Sequence, residues 1–455
     1  MPSLLQWLQA ALVVLAWVVL CVLCLRRAGG GAATQRSGAA TLVAYASQGG
    51  TAQALASQHA RLLSRQGPVA LLPLNRVGGG ELDAARVALF IVSTYGEGEP
   101  PDNGLRFARQ WLRAAAGVAG ERRASFQRLH FAVLALGDRE YRNFCGFGLA
   151  VDAGLRALGA TAMFAPVTVD RMDPAALGSW QSQLRESTVL EAGETLLEAA
   201  AREHLLPCTL RSRECLNSGS PGGPVHHLRI AVPTGTCWQA GDIAVLRVPG
   251  EADTAVQQRE YSIASLPEDG SLDLVVRQVC KPGGELGIGS GWLTARLAPG
   301  EHLELSLRDN PSFHPPSAAR PLLLVGNGTG IAGLRAHLRA RERVSAQANW
   351  LIFGERSRRA DRLFDAEILR WQQQGHLEVL HRVYSREGEP QCYVQDVLAA
   401  ELARLRAWLE RGAAIYVCGS QQGMAPAVHR LLLDLLGEQE LEGLILAGRY
   451  RRDVY

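Results

Sequence analysis

The chain has 455 residues, of which 47% are hydrophobic and 20% charged, with a formal net charge of +3. That length exceeds one ordinary core and predicts two or three domains, while the composition excludes a disordered chain. The basic residues are dispersed and nearly all arginine, Lys281 being the only lysine, so charge gives no case for a nucleic-acid partner. The nine cysteines are scattered, without the spacing of a disulfide framework, a zinc site or an iron–sulfur cluster. No metal is therefore expected, and a reducing compartment fits.

In chain order, the first element is an uncharged run from Leu4 to Leu25, "LLQWLQAALVVLAWVVLCVLCL". As a helix it would span roughly 33 Å, enough for a bilayer core of about 30 Å. Cys21 and Cys24 within it read as small lipid-facing side chains rather than a redox pair. Arg26 and Arg27 follow at once and nothing basic precedes. The expectation is a single-pass anchor at residues 4–25 in the inner (cell) membrane, with the remainder in the cytoplasm. A cleaved signal peptide is the rival, disfavoured by the missing basic n-region. Residues 26–40, rich in Gly and Ala, read as a flexible tether.

From Thr41 to about residue 170, apolar strands alternate with amphipathic helices, which predicts a doubly wound parallel α/β sheet with ligands at the carboxyl ends of its strands. Three strand ends are unusual. "SQGGT" brings Ser47, Gln48, Gly50 and Thr51 to a helix start, where backbone N–H groups suit a phosphate. No P-loop lysine is present, so a monophosphate fits better than a triphosphate. "STYGEGEPPDN" carries Ser93, Thr94, Tyr95 and Gly96, with Tyr95 exposed on the loop. "LGDREYRNFCGFG" carries Gly137, Asp138, Tyr141 and Phe144. Two aromatic-bearing loops opposite a phosphate loop make a slot for a planar phosphorylated ligand, although ordinary turn chemistry explains any one of them alone.

Residues 171–205 are helical and polar and read as a connector. Residues 206–318 change to short alternating strands with Gly/Pro turns, which predicts a small antiparallel barrel. There Arg259 can meet a pyrophosphate, Tyr261 can face a ring, and Gly289, Ser290, Gly291 and Trp292 form a second turn. Residues 319–455 return to α/β texture. "GNGTGIAG" places Gly328, Thr329 and Gly330 in a glycine turn, a weak dinucleotide signal alone. Ser385, Arg386 and Tyr393 add a cation near a possible 2′-phosphate.

The loops of the first half, in this order, resemble the FMN domain of diflavin reductases. The run R-x-Y-S, G-x-x-S-x-W-L, G-x-G-T-G-I-A, S-R…Y-V-Q, Y-V-C-G and terminal D-V-Y resembles their ferredoxin–NADP reductase-like module. The resemblance is greatest to bacterial sulfite reductase flavoprotein subunits. It implies FMN at Ser47, Gln48, Gly50, Thr51, Ser93, Thr94, Gly96, Gly137, Asp138 and Phe144, with Tyr95 and Tyr141 flanking the ring. It implies FAD at Arg259, Tyr261, Ser262, Gly289, Ser290, Gly291, Trp292 and Tyr455. NADPH is implied at Gly328, Thr329, Gly330, Ser385, Arg386, Tyr393, Gln395 and Cys418. Ser262, Cys418, Asp453 and Tyr455 would serve hydride transfer, the terminal ring shielding FAD until nicotinamide displaces it.

Four departures qualify that resemblance. About 17 residues separate "AGD" at 240–242 from Arg259, where larger relatives insert a helical connecting domain. Gly49 replaces a threonine, removing one hydroxyl from the phosphate loop. Gln391 replaces a lysine near the 2′-phosphate, and Ser420 stands where an aspartate often follows Cys-Gly. The expectation is an NADPH-dependent reductase feeding a one-electron acceptor, a haemoprotein such as sulfite reductase or a membrane cytochrome. A ferric-siderophore or quinone reductase, or a non-catalytic flavin-binding membrane subunit, remain the alternatives. The acidic stretch Glu97, Glu99 and Asp102 reads as a docking face for a basic partner or as a solvated loop.

Overall fold

A computed structural model describes residues 41–96, 98–112, 126–139, 142–187, 189, 205–249, 257–388 and 391–455. Strands β1 (Thr41–Ala46), β2 (Val69–Pro73), β3 (Val87–Ser93), β4 (His130–Gly137), β5 (Thr161–Ala162) and β6 (Val167–Asp170) form one parallel sheet. Its order is β2-β1-β3-β4, with β5 and β6 both on β4. This is the flavodoxin-like order, and the predicted doubly wound sheet is present. The five central residues of β3 are all buried because helices cover both faces, which explains the unbroken apolar run "ALFIV". Helix α1 (Thr51–Leu63) starts behind the first strand end, and α2 (Gly146–Ala157) behind the fourth.

Part of the stretch read as a connector belongs to this unit. Helix α3 (Pro174–Glu186) is capped by the Asp173 carboxylate and buries Trp180 and Leu184 against Val43, Leu89 and Leu134. Trp180 donates its indole N–H to His59 Nε2 at 2.8 Å, while His59 Nδ1 lies 2.7 Å from the Leu55 carbonyl. Both ring nitrogens are satisfied by a neutral imidazole, and burial lowers its pKa to about 4.

The second unit holds β7 (Leu206–Cys215), β8 (Val225–Ala231), β9 (Ile243–Val248), β10 (Gln257–Ser262), β11 (Leu272–Arg277) and β12 (His302–Arg308). They form an antiparallel sheet of order β10-β9-β12-β7-β8-β11. A bridge between Ile263 and Leu274 joins its two ends, so the sheet curls toward the predicted barrel. Leu210, Leu228, Ile230, Leu246 and Leu274 fill its interior.

In the third unit β13 (Leu322–Asn327), β14 (Asn349–Glu355), β15 (Leu377–Tyr384), β16 (Ala414–Gly419) and β17 (Tyr450–Val454) are all parallel, in the order β15-β14-β13-β16-β17. Helices α4 (Ile331–Arg343), α5 (Asp365–Gln373), α6 (Val394–Ala400), α7 (Leu402–Glu410) and α8 (Met424–Leu446) flank it. Buried Arg335 on α4 spans two units. It donates to Asp273 at 3.1 Å and the Ala264 carbonyl at 2.8 Å in the barrel, and to Glu367 at 2.6 Å on α5. Buried charge is stable only when paired in this way.

The expected single-pass protein of the inner membrane is corrected here. Among the described residues no helix is long and apolar enough to cross a membrane. The proposed anchor at 4–25 and the tether at 26–40 lie outside the described residues.

Candidate active site

Strand β17 carries the site because its alternate residues serve opposite sides. Asp453 is buried and accepts a hydrogen bond from Ser262 Oγ at 2.7 Å, joining positions 191 apart in sequence. Cys418, fully buried at the end of β16, places Sγ 3.8 Å from the same carboxylate oxygen. Burial pushes the Asp453 carboxyl up against the opposing hydrogen bond from Ser262 and charge of Arg308. Burial, then the Asp453 charge, push the Cys418 thiol well above its ordinary value, so it stays protonated. Tyr455 closes this cluster, its phenol facing Cys418, Thr329 and Ser262, while the residue as a whole is half exposed.

Above the cluster opens a cleft of about 590 Å³ at the carboxyl ends of the third sheet, with Gly328, Thr329, Ser385, Tyr393, Gln395 and Tyr455 among its lining. Gly330 must lack a side chain, because a Cβ there would sit 2.1 Å from the Cys418 carbonyl oxygen. That contact packs the glycine turn against β16 and explains why Gly330 and Cys418 lie beneath the cleft, not in its wall. Arg386 is exposed beside it. Gln391 accepts a 2.6 Å hydrogen bond from the Tyr393 hydroxyl. Ser420, the other departure, donates its N–H to Asn327 Oδ1 at 2.9 Å.

On the barrel side, Arg259 and Tyr261 alternate with Glu260 along β10 as the strand period requires. Gly289 is a cradle for Arg259, since a Cβ there would meet its Cγ at 2.7 Å. The backbone N–H of Val279 donates to Ser290 Oγ at 3.1 Å, and Trp292 packs at the barrel core. The Tyr261 phenol is pushed up to about 12 by burial.

The loop between β1 and α1, where a phosphate is expected, makes a left-handed turn at Gly50, φ +84°. Ser47 donates its backbone N–H to Asn103 Oδ1 at 2.9 Å. The Ser47 hydroxyl is buried without a hydrogen-bond partner, and so is that of Thr94. Two orphaned hydroxyls at one strand-end crevice fit an anionic ligand, since buried polar groups are otherwise satisfied. Ser93 donates its hydroxyl to the Ala46 carbonyl at 3.1 Å, tying the first two loops together. Asp138 does not face solvent freely but pairs with Arg171 at 2.8 Å. The Phe144 ring lies 5.2 Å from the Arg139 guanidinium carbon, close against Gly137. Tyr141 lies outside the described residues, as does Glu97.

Two family models match the chain, Flavodoxin over residues 43–180 and Oxidoreductase NAD-binding domain over 324–430. Curated relatives align along nearly the whole length. The sulfite reductase [NADPH] flavoprotein alpha-component of Bacillus subtilis is 25% identical, covering 91% of this chain and 89% of that protein. That of Thiocapsa roseopersicina is 28% identical over 86% and 83%, and that of Vibrio cholerae 26% over 94% and 89%. Along both halves the chain is similar to the diflavin reductases. It is an NADPH-dependent flavoprotein reductase using FMN, FAD and NADPH.

Sequence reading missed how this reductase joins its two halves. Arg452, next to Asp453 but on the other face of β17, forms a buried ion pair with Asp102, with Nε–Oδ2 at 3.4 Å. Its guanidinium carbon also lies 4.7 Å from the Tyr95 ring centroid. Gln48 bridges the pair, donating to Asp102 at 3.0 Å and to the Arg452 carbonyl at 3.1 Å. Asp102 is thus turned inward and is not part of an exposed docking face for a basic partner. Only the alternation within "YRRDV" hinted at this, and nothing local names the partner loop 350 positions away.

Proposed function

We propose that this chain passes electrons from NADPH through FAD and FMN to a one-electron acceptor, a haem protein, with the sulfite reductase named in its relatives as the leading candidate. The carrying observation is the Ser262–Asp453–Cys418 cluster at the foot of the cleft, on a strand whose other face is tied to the FMN loop. In this reading residues 41–170 hold FMN, 206–318 hold FAD and 319–455 hold the nucleotide. When bound, the flavins accept a hydride's two electrons and release them singly.

The chain's own residues hold the reacting groups in place. Ser262 donates its hydroxyl hydrogen bond to Asp453 Oδ2, which accepts it and orients the serine. Cys418 remains a neutral thiol that packs the cluster without adding charge. Gly330 packs the glycine turn against β16 and so sets Gly328 and Thr329 in the wall of the cleft. Tyr455 covers the ring position until nicotinamide replaces it, excluding water meanwhile.

The test is to purify the full chain, release flavin with acid, count FMN and FAD per chain, and compare acceptors. One of each, with faster NADPH-driven reduction of a haem protein than of free ferric chelates or quinones, supports the reading. Faster chelate or quinone reduction without a protein partner would select the siderophore or quinone alternative. Flavins that NADPH fails to bleach would leave a non-catalytic binding subunit.

A further inference from the structure

The missing hydroxyl at Gly49 raises the question of what completes the phosphate site. The answer lies in another unit of the fold. Arg308, the last residue of β12 in the barrel, reaches across to the loop between β1 and α1. A Cβ built on Gly49 would lie 3.9 Å from Arg308 Nη2, and one on Gly50 would lie 3.6 Å from Nε. The guanidinium thus borders the space a threonine side chain at position 49 would occupy. Nη1 and Nη2 form a bidentate pair with Glu260, each contact 2.5 Å. Nε is buried with no partner, and so is the hydroxyl of Ser47 in the loop it approaches. The arginine's side chain is only 13% exposed, so an unmet donor there is costly unless something accepts from it.

From this geometry we propose that Arg308 is a phosphate-binding residue for FMN supplied across the domain boundary, standing in for the hydroxyl lost at Gly49. A phosphate monoester carries nearly two negative charges and three acceptor oxygens, and arginine is the side chain whose fixed fork of donors suits it. The loop offers N–H groups, the Ser47 hydroxyl and the start of α1, but no cation of its own. Glu260 holds the outer edge of the guanidinium and leaves Nε toward the loop. Two further contacts hold the same edge together: Ser312 donates its hydroxyl to the Gln48 carbonyl at 3.0 Å, and Gln48 reaches the Arg452 carbonyl. Retention of FMN is then linked to docking of the first unit on the barrel. By reciprocity FMN binding favours the docked arrangement.

The inference rests on the reading of this loop as an FMN site, and the experiment separates the two. Purified full-length apoprotein is titrated with FMN and with riboflavin, which lacks the phosphate, and binding is followed by quenching of flavin fluorescence. In Arg308→Gln, FMN affinity is expected to fall by about 10- to 150-fold, the worth of a charge-assisted contact, while riboflavin affinity is unchanged. Glu260→Gln breaks the same ion pair but keeps the guanidinium, and should retain the preference for FMN. Gly49→Thr in the Arg308→Gln background should recover affinity, since the built Cβ meets only an ordinary contact at this position. Equal losses for FMN and riboflavin, no loss for either, or a Glu260→Gln variant as weak as Arg308→Gln would overturn the proposal. A wild-type protein that binds no FMN would instead overturn the site itself.

Discussion

Replacing Asp102 by Asn removes the countercharge of Arg452, whose side chain is 6% exposed against 16% for Asp102. Burial works against the charge of Arg452, yet Asp102, Tyr450 and Tyr95 together hold its pKa above the ordinary arginine value. Leaving such a charge unpaired costs about 3 kcal/mol. The cost falls on the interface rather than on either fold, because each unit keeps its own core. The docked population should therefore drop about 150-fold relative to the undocked one. Small-angle scattering should report a larger radius of gyration. Stopped-flow spectra should show the first flavin reduced by NADPH at the normal rate and the second more slowly. Adding Arg452→Gln to Asp102→Asn should recover part of the loss, since no lone charge then remains. A single variant within twofold of wild type in both scattering and second-phase rate would refute the reasoning. The outer pairs of Arg109 with Glu438 and Glu442 are more exposed and should contribute far less.

Three further outcomes are expected. Ser262→Ala removes the 2.7 Å donor to Asp453 and should slow flavin reduction by NADPH about 10- to 150-fold with little change in nucleotide affinity; an unchanged rate would remove the serine from the mechanism. Gln391→Lys should raise the NADPH-over-NADH ratio of kcat/KM about tenfold or more by restoring a cation near the 2′-phosphate, at the cost of the Tyr393–Gln391 hydrogen bond. His59 is held neutral in the fold, its pKa lowered from 6.5 to about 4. The unfolded chain therefore binds the proton more readily, and the stability this neutral ring confers is complete above pH 6.5 and lost as pH falls from 6.5 toward 4. The loss amounts to about 3 kcal/mol and should flatten in His59→Gln, as read by denaturant midpoints across that range.

Much of this architecture was written locally. Alternating apolar strands and amphipathic helices specified two parallel sheets around a Gly/Pro-punctuated antiparallel one, since period and turn chemistry act over a few residues. The strand-end loops announced their chemistry for the same reason: a glycine that must take positive φ at 50, or one that must lack a Cβ at 330, is visible in its own sequence neighbourhood. The meeting of Ser262, Cys418 and Asp453 was accessible only through family resemblance, because no local rule relates positions so far apart. The inward turn of Asp102 and the placing of Arg308 against Gly49 had no signal of their own, and the pairing of Arg452 had only the alternation within "YRRDV". An arginine in a strand reads as a solvated charge until the partner surface is known. Burial and pairing are properties of two surfaces brought together, and only the packed chain decides which charges lose their water and which carboxylate or phosphate replaces it.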